Sequence, residues 1–179
     1  MKILSNNLSS IQPHKFIFIG LLFCLMLASA CHKEDINAYR FTNEQFIGMA
    51  LPEQEFQQVL AKEIGDIAVD PRYSSLSKKR ADRSKDYMKE IRSIMPTEAN
   101  FTSGIGVENQ EKLTQLKKLT DNDFQSELIK LAMESDQQLI RLHVQASSST
   151  GAEDEDLRNW VEKKLPLLRE NLAEIQALK

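Results

Sequence analysis

An apolar stripe between residues 124 and 146 constrains the fold of this chain more than any other feature of its sequence. The stripe recurs at three- and four-residue steps, which is the spacing of side chains along one face of an α-helix. Its members are Phe124, Leu128, Leu131, Ala132, Leu139, Leu142 and Ala146. Similar stripes begin near residues 46, 73 and 157, and no segment alternates with period two. With six Gly and five Pro in 179 residues, the chain favours long helices, so we expect an all-α bundle of four main helices.

Local signals mark where the first two helices begin. Thr42, followed three residues later by Gln45, is typical of a capping box and predicts the start of the first helix. Asp70 before Pro71 fits an N-cap followed by a proline at the first helical position. The second helix is expected to run from there to about Met95.

The second half of the chain carries its own boundaries. A loop is predicted over residues 96–107, and a short extra helix over residues 108–119 leads into the third long helix. Acidic residues after residue 151 favour the start of the last helix. Pro52 and Pro166 lie inside the first and last helices, where we expect a kink or a restart at the first and a bend at the second.

The second helix has a polar middle, between Ser77 and Asp86. Arg80 and Ser84 occupy positions of this helix where core residues should fall. Either the helix bows away from the core, which is the commoner arrangement and the one that we expect, or it lends polar groups to the interior. The same stretch forms a basic patch that is expected to be a solvated face, with docking onto an acidic partner or membrane headgroups as the alternative. Its members are Lys78, Lys79, Arg80, Arg83 and Lys85.

The first thirty residues have the layout of a secretory signal. Lys2 and Lys15 precede an uncharged apolar run over residues 16–30, which ends in small residues. Fifteen helical residues cover about 22 Å, less than the roughly 30 Å of a bilayer core. A cleaved signal is therefore favoured over a transmembrane anchor.

The run ends in Leu27-Ala28-Ser29-Ala30-Cys31, which resembles the lipobox of bacterial lipoproteins. The resemblance implies that Cys31 becomes the first mature residue and carries acyl chains that tether the protein to a membrane. An ordinary secretory signal with a chance cysteine is the alternative. The expected organisation is a signal peptide over residues 1–30, a lipidated cysteine and linker over 31–41, and a helical domain over 42–179. We expect the cell envelope as location, on the outer membrane and either periplasmic or surface-exposed.

Processing also limits the chemistry and the partners. Cys24 leaves with the signal and Cys31 is acylated, so the mature domain has no thiol for catalysis, disulfides or metal binding. Removing residues 1–30, which hold two Lys and no acid, takes the net charge from −3 to −5. This charge argues against nucleic acid or anionic lipid as a partner of the folded part. The expected partners are the membrane, through the lipid on Cys31, and another envelope protein.

From about Phe41 to the C-terminus, the order and spacing of several core residues resemble a family of bacterial envelope proteins, domain of unknown function 4142. The most specific piece is the block Leu165-Pro166-Leu167-Leu168-Arg169-Glu170-Asn171-Leu172 near the end of the last helix. The other matching residues are Leu116, Leu119, Asp123, Phe124, Leu128, Ile129, Asp136, Ile140, Leu142, Leu157 and Trp160. The resemblance implies a ferritin-like four-helix fold and carries no established biochemical role.

The chain departs from this family at its polar positions. Members often place histidines on the second, third and fourth helices, and here those positions hold Ser84, Asp136 and Asn171. We predict these three residues as a candidate polar cluster. The aspartates that usually precede the first two histidines, and a glutamate of the first helix, are also replaced. The residues found there are Arg83, Ser135 and Gln57.

The remaining chemistry is sparse. A di-iron site of the ferritin-like kind needs Glu-x-x-His on two helices, whereas Ile140 stands three residues before His143. His143 is expected at the core boundary with one face packed, and Trp160 as a core anchor. We therefore expect no enzyme and no cofactor, and a non-enzymatic binding or structural module. The alternative is a metal- or small-ligand-binding protein that uses Asp136.

Overall fold

The structure is a computed structural model that describes residues 40–67, 71–94 and 104–178. This part of the chain contains five α-helices and no strand. The helices are α1 (Asn43–Asp66), α2 (Pro71–Ser93), α3 (Gly106–Leu116), α4 (Asp121–Ala146) and α5 (Glu155–Gln176). The all-α prediction, with four long helices and one short extra helix, is confirmed. The predicted signal peptide, Cys31 and its linker up to residue 39 lie outside the described residues.

Capping explains where α1 and α5 begin. The Thr42 hydroxyl accepts from the Gln45 amide at 3.3 Å, and the Thr42 amide donates to Gln45 Oε1 at 2.9 Å, which confirms the capping box. Asp154 caps α5, and its Oδ1 accepts from the amide of Asp156 at 2.7 Å. Both caps satisfy amides that the first turn of a helix leaves unpaired.

Two glycines place α3 slightly earlier than the sequence indicated. Gly104 and Gly106 have φ angles of 142° and 75°, a region that glycine enters without a steric cost. The chain therefore completes its turn by Gly106, and α3 runs over Gly106–Leu116 rather than 108–119. At Pro52, by contrast, α1 continues as one helix, so the predicted restart is wrong. Leu51 and Gln54, on either side of this proline, are both buried.

The four long helices pack in the cyclic order α1, α2, α5, α4. α1 pairs with α2, and α4 pairs with α5, and the two hairpins meet mainly through α1 against α4. The contact between α2 and α5 is sparser, and α3 lies against α1 and α4. An isolated bridge between Phe41 and Ala152 joins the residues before α1 to the α4–α5 turn. The Phe41 amide donates to Gly151 O at 3.0 Å, and the Glu153 amide donates to Phe41 O at 2.9 Å.

Polar residues divide the core into two apolar clusters. The upper cluster, near the start of α1, is built on residues that include Phe46, Ile47, Tyr87, Leu142 and Val161. The lower cluster includes Phe56, Leu60, Leu113, Leu128 and Ile175. On each long helix, buried polar side chains lie between the two clusters, and we call them the polar layer. They are Gln54, Gln57, Arg80, Ser84, Asp136 and Asn171. Ser135, next to Asp136, is also buried but lines a cleft on another side of α4.

Candidate functional site

A buried ion pair forms the centre of the polar layer. Arg80 on α2 donates through Nη1 to Asp136 Oδ2 and through Nη2 to Asp136 Oδ1, both at 2.9 Å. The two side chains are 1% and 0% exposed. A third donor, Nε2 of Gln57 on α1, lies 2.7 Å from Asp136 Oδ1. Such a two-point contact between guanidinium and carboxylate fixes the relative position of both groups. It therefore links α1, α2 and α4 at one level of the bundle.

The expectation that Arg80 lies on a solvated face is wrong. Its position on α2 coincides with the core, and Asp136 on α4 occupies a core position on the opposite side. Burying an isolated guanidinium would cost several kcal/mol, so burial of Arg80 requires the carboxylate partner. Two opposite charges at core positions of two predicted helices were the available signal. Each charge is visible in the sequence by itself, but its own helix does not show which partner it meets.

The three predicted site residues are only partly brought together. The Asn171 backbone carbonyl accepts from Arg80 Nη1 at 3.2 Å, so Asn171 and Asp136 share the guanidinium. Ser84 instead has its hydroxyl 2.9 Å from the backbone and side-chain oxygens of Gln54 on α1. Asp136 and Asn171 thus belong to one hydrogen-bonded group, and Ser84 belongs to a neighbouring α1–α2 contact.

Cations on the outer side of α2 tie this helix to α5. Arg83 Nη2 lies 2.7 Å from Glu170 Oε1, and Arg83 Nη1 lies 2.8 Å from Glu174 Oε2. Arg83 Nη1 also donates to Asn171 Oδ1 at 2.7 Å. Lys79 contacts the same two glutamates. Hydrogen bonds from Arg83, the larger contribution, and from Lys79 lower the pKa of the Glu170 carboxyl to about 2. Only part of the predicted basic patch is therefore a free solvated face.

Burial and hydrogen bonding oppose each other at Asp136. Removal from water raises the pKa of its carboxyl, whereas Arg80 and Gln57 act to lower it, and the net direction is upward. Both oxygens are engaged by donors of this chain. A metal ion that used Asp136 would have to displace a buried guanidinium. Among the described residues, no group of three or more His, Cys, Asp and Glu side chains is placed to hold a metal ion.

A second buried polar contact lies in the upper cluster. His143 is fully buried, so the expectation of a boundary histidine is wrong. Its Nδ1 lies 2.7 Å from Leu139 O, which can only accept, so Nδ1 carries the proton and Nε2 accepts from the Tyr87 hydroxyl at 3.0 Å. Burial lowers the pKa of His143 to about 4. Trp160 is partly buried and packs against this cluster, with its ring centroid 5.0 Å from that of Tyr87.

The described helices include none that is long and apolar enough to cross a membrane. In comparisons with known proteins, no curated protein and no solved structure matches the chain. A family model described as Domain of unknown function (DUF4142) matches residues 78–178, which is more than half of the chain and covers the last two thirds of α2 and the whole of α3, α4 and α5. The resemblance predicted from residues 116–172 is thereby confirmed: the chain belongs to the DUF4142 family.

Proposed function

We propose that this protein is a lipid-anchored cell-envelope protein whose helical domain is a non-enzymatic binding or structural module. The observation that carries the proposal is the bonding of the Asp136 carboxylate at the centre of the polar layer. Each oxygen of Asp136 accepts from Arg80, and Gln57 supplies a third bond. A buried carboxylate that is bonded at both oxygens by residues of two other helices fixes how those helices sit against one another. We infer that the layer holds the register of the bundle.

A cation bound at Asp136 is the alternative that the sequence left open. The geometry favours the structural interpretation, because the guanidinium of Arg80 already lies where a cation would be held. A ligand that reached the carboxylate would also have to enter the centre of the bundle, where Asp136 is fully buried. We therefore assign the polar layer to stability, and any ligand of the module to its surface.

The anchor is supported by the lipobox-like end of the apolar run, at Cys31. Cells that produce the full chain can be grown with an alkyne analogue of palmitate, and the protein then purified and labelled. We expect labelling of the wild type and of Cys24→Ala, whose cysteine lies within the predicted signal, and none of Cys31→Ala. Labelling that persists in Cys31→Ala, or that is missing from the wild type, would rule out the anchor.

The module role is tested separately, by chemical crosslinking of intact cells. We expect discrete crosslinked species that contain the wild-type protein and that are missing in cells without it. Protease treatment of the same cells distinguishes a surface-exposed from a periplasmic domain. If crosslinking yields no species that contains the protein, the interaction role is wrong even where the lipid label is present.

A further inference from the structure

A cleft opens between α1, α3 and α4, with a volume of about 510 Å³. The short helix α3 covers only one end of the groove between α1 and α4, where its Leu113 and Leu116 join the lower cluster. Beyond the start of α3, the walls of the cleft include Met49 and Phe56 of α1 and Leu139 of α4. The volume falls within the range of small-molecule sites.

An unsatisfied hydroxyl lies in the wall of this cleft. Ser135 is 3% exposed, and its Oγ has no hydrogen-bond partner among the described residues. The next residue, Asp136, faces the polar layer and is fully bonded there, whereas Ser135 lines the cleft. Buried polar atoms in proteins almost always have a partner, so this hydroxyl is a group for which a ligand can supply one.

The start of α3 borders the same cleft. Gly106, Val107, Glu108 and Asn109 all line it, and they form the first turn of this eleven-residue helix. The N-cap residue, Ile105, offers no side-chain acceptor to this turn. The amides of an uncapped first turn point along the helix axis and attract hydrogen-bond acceptors.

The charges around the cleft select against a charged ligand. Glu108 and Lys112 neutralise each other at 2.7 Å. This leaves two carboxylates, Glu53 and Glu134, against the guanidinium of Arg141. A carboxylate ligand would meet a net negative rim. An ammonium ligand would face the positive end of a helix and the donors that surround it.

We propose that this cleft binds a small, neutral amphipathic molecule that carries a carbonyl group. The carbonyl oxygen accepts from Ser135 Oγ and from the first-turn amides of α3, and the apolar part lies against Met49, Phe56 and Leu139. The inference deepens the proposed binding role, and it does not depend on lipid attachment at Cys31.

The test compares three probes that share an eight-carbon chain and differ in the polar group at its end: octanamide, octanoate and octylammonium. The full chain is used, in a phospholipid nanodisc if it is isolated from membranes and in buffer if it is not. Backbone amide resonances of α3 and α4 are followed by NMR during each titration. We expect saturable shifts of Val107, Glu108 and Ser135 with octanamide, at concentrations where the two charged probes leave them unchanged.

Variants locate the site and its hydrogen bond. Ser135→Ala is expected to weaken octanamide binding roughly two- to tenfold, the range of one hydrogen bond. Met49→Lys places a charge on the apolar wall and should weaken binding further. Val144→Lys is the matched control, because Val144 is 46% exposed, as against 44% for Met49, and does not line the cleft. Because both positions are exposed, we expect both lysine variants to fold, and both remain informative.

Each outcome decides the proposal. Octanamide shifts that are lost in Met49→Lys and kept in Val144→Lys support it. The proposal is overturned if octanamide causes no shifts up to its solubility limit. It is also overturned if the wild type and Met49→Lys bind octanamide equally tightly, or if Ser135→Ala leaves the affinity unchanged. Tighter binding of octanoate or octylammonium would overturn the assigned chemical class. Because the readout does not involve membrane attachment, failure of the anchor and failure of this site are distinguishable.

Discussion

Removing one partner of the Arg80–Asp136 pair should destabilise the fold far more than removing both. In Arg80→Met, Asp136 loses two of its three hydrogen bonds and keeps only that of Gln57. In Asp136→Leu, the guanidinium keeps only the Asn171 carbonyl. Each variant leaves a charge uncompensated in the interior, which costs about 3–5 kcal/mol of unfolding free energy. The double variant replaces the pair by apolar side chains and should lie within about 2 kcal/mol of the wild type.

The measurement is unfolding by urea at pH 7, followed by helical circular dichroism. Urea is preferred to guanidinium chloride as the denaturant because the latter is a salt and screens charges. Lys79→Met is the control on the same helix: its side chain is 45% exposed, and we expect a change within about 1 kcal/mol. Burial already raises the pKa of Asp136, and loss of Arg80 raises it further. A folded-state pKa above the unfolded value means that acid stabilises the fold, so Arg80→Met should recover part of its loss as the pH falls. Single variants that cost no more than Lys79→Met, or costs that simply add in the double variant, would refute this reasoning.

Three further predictions concern separate contacts. The pKa of His143 is about 4 in the folded protein and 6.5 in its ordinary state, so the unfolded chain takes up the proton first as the pH falls. Acidification from pH 7 to 4 should therefore remove about 3 kcal/mol of unfolding free energy through this residue. Unfolding curves of His143→Phe should lack that component. Thr42→Ala should cost about 1 kcal/mol in thermal unfolding, whereas Thr120→Ala, whose side chain makes no cap bond, should change little; equal losses would contradict the capping argument. Ser84→Ala should cost about 1–3 kcal/mol of unfolding free energy because it leaves the side-chain oxygen of Gln54 without its donor. Ser135→Ala should be neutral or slightly stabilising because the Ser135 hydroxyl has no partner among the described residues. The reverse order in urea unfolding would show that this hydroxyl does have a partner.

The helices were predictable because their causes are local. The stripe from Phe124 to Ala146 and the capping box at Thr42 depend on residues a few positions apart, and the structure confirms both. The family was predictable from the order of core residues over the second half of the chain. Both kinds of signal are contained in short stretches of sequence, so no knowledge of the packing was needed to find them.

The site was less predictable because its causes are distant. Arg80 and Asp136 are 56 positions apart, as are Tyr87 and His143. A polar residue on an apolar face has two physical solutions, exposure or a buried partner, and its own helix does not decide between them. The cyclic order of the helices was also open, since an apolar stripe shows which face is buried and not which helix covers it.

The bridge between Phe41 and Ala152 has a mechanical consequence. The residues before α1 are held at the α4–α5 turn by the bonds of Arg40 and Phe41 to Gly151 O, and of Glu153 to Phe41 O. Tension applied through the preceding chain would therefore reach α1 and the second hairpin together. Unravelling of α1 from its first turn would require these bonds to break in concert. The bridge thus acts as a clamp that would spread the load of a tether over both hairpins of the bundle.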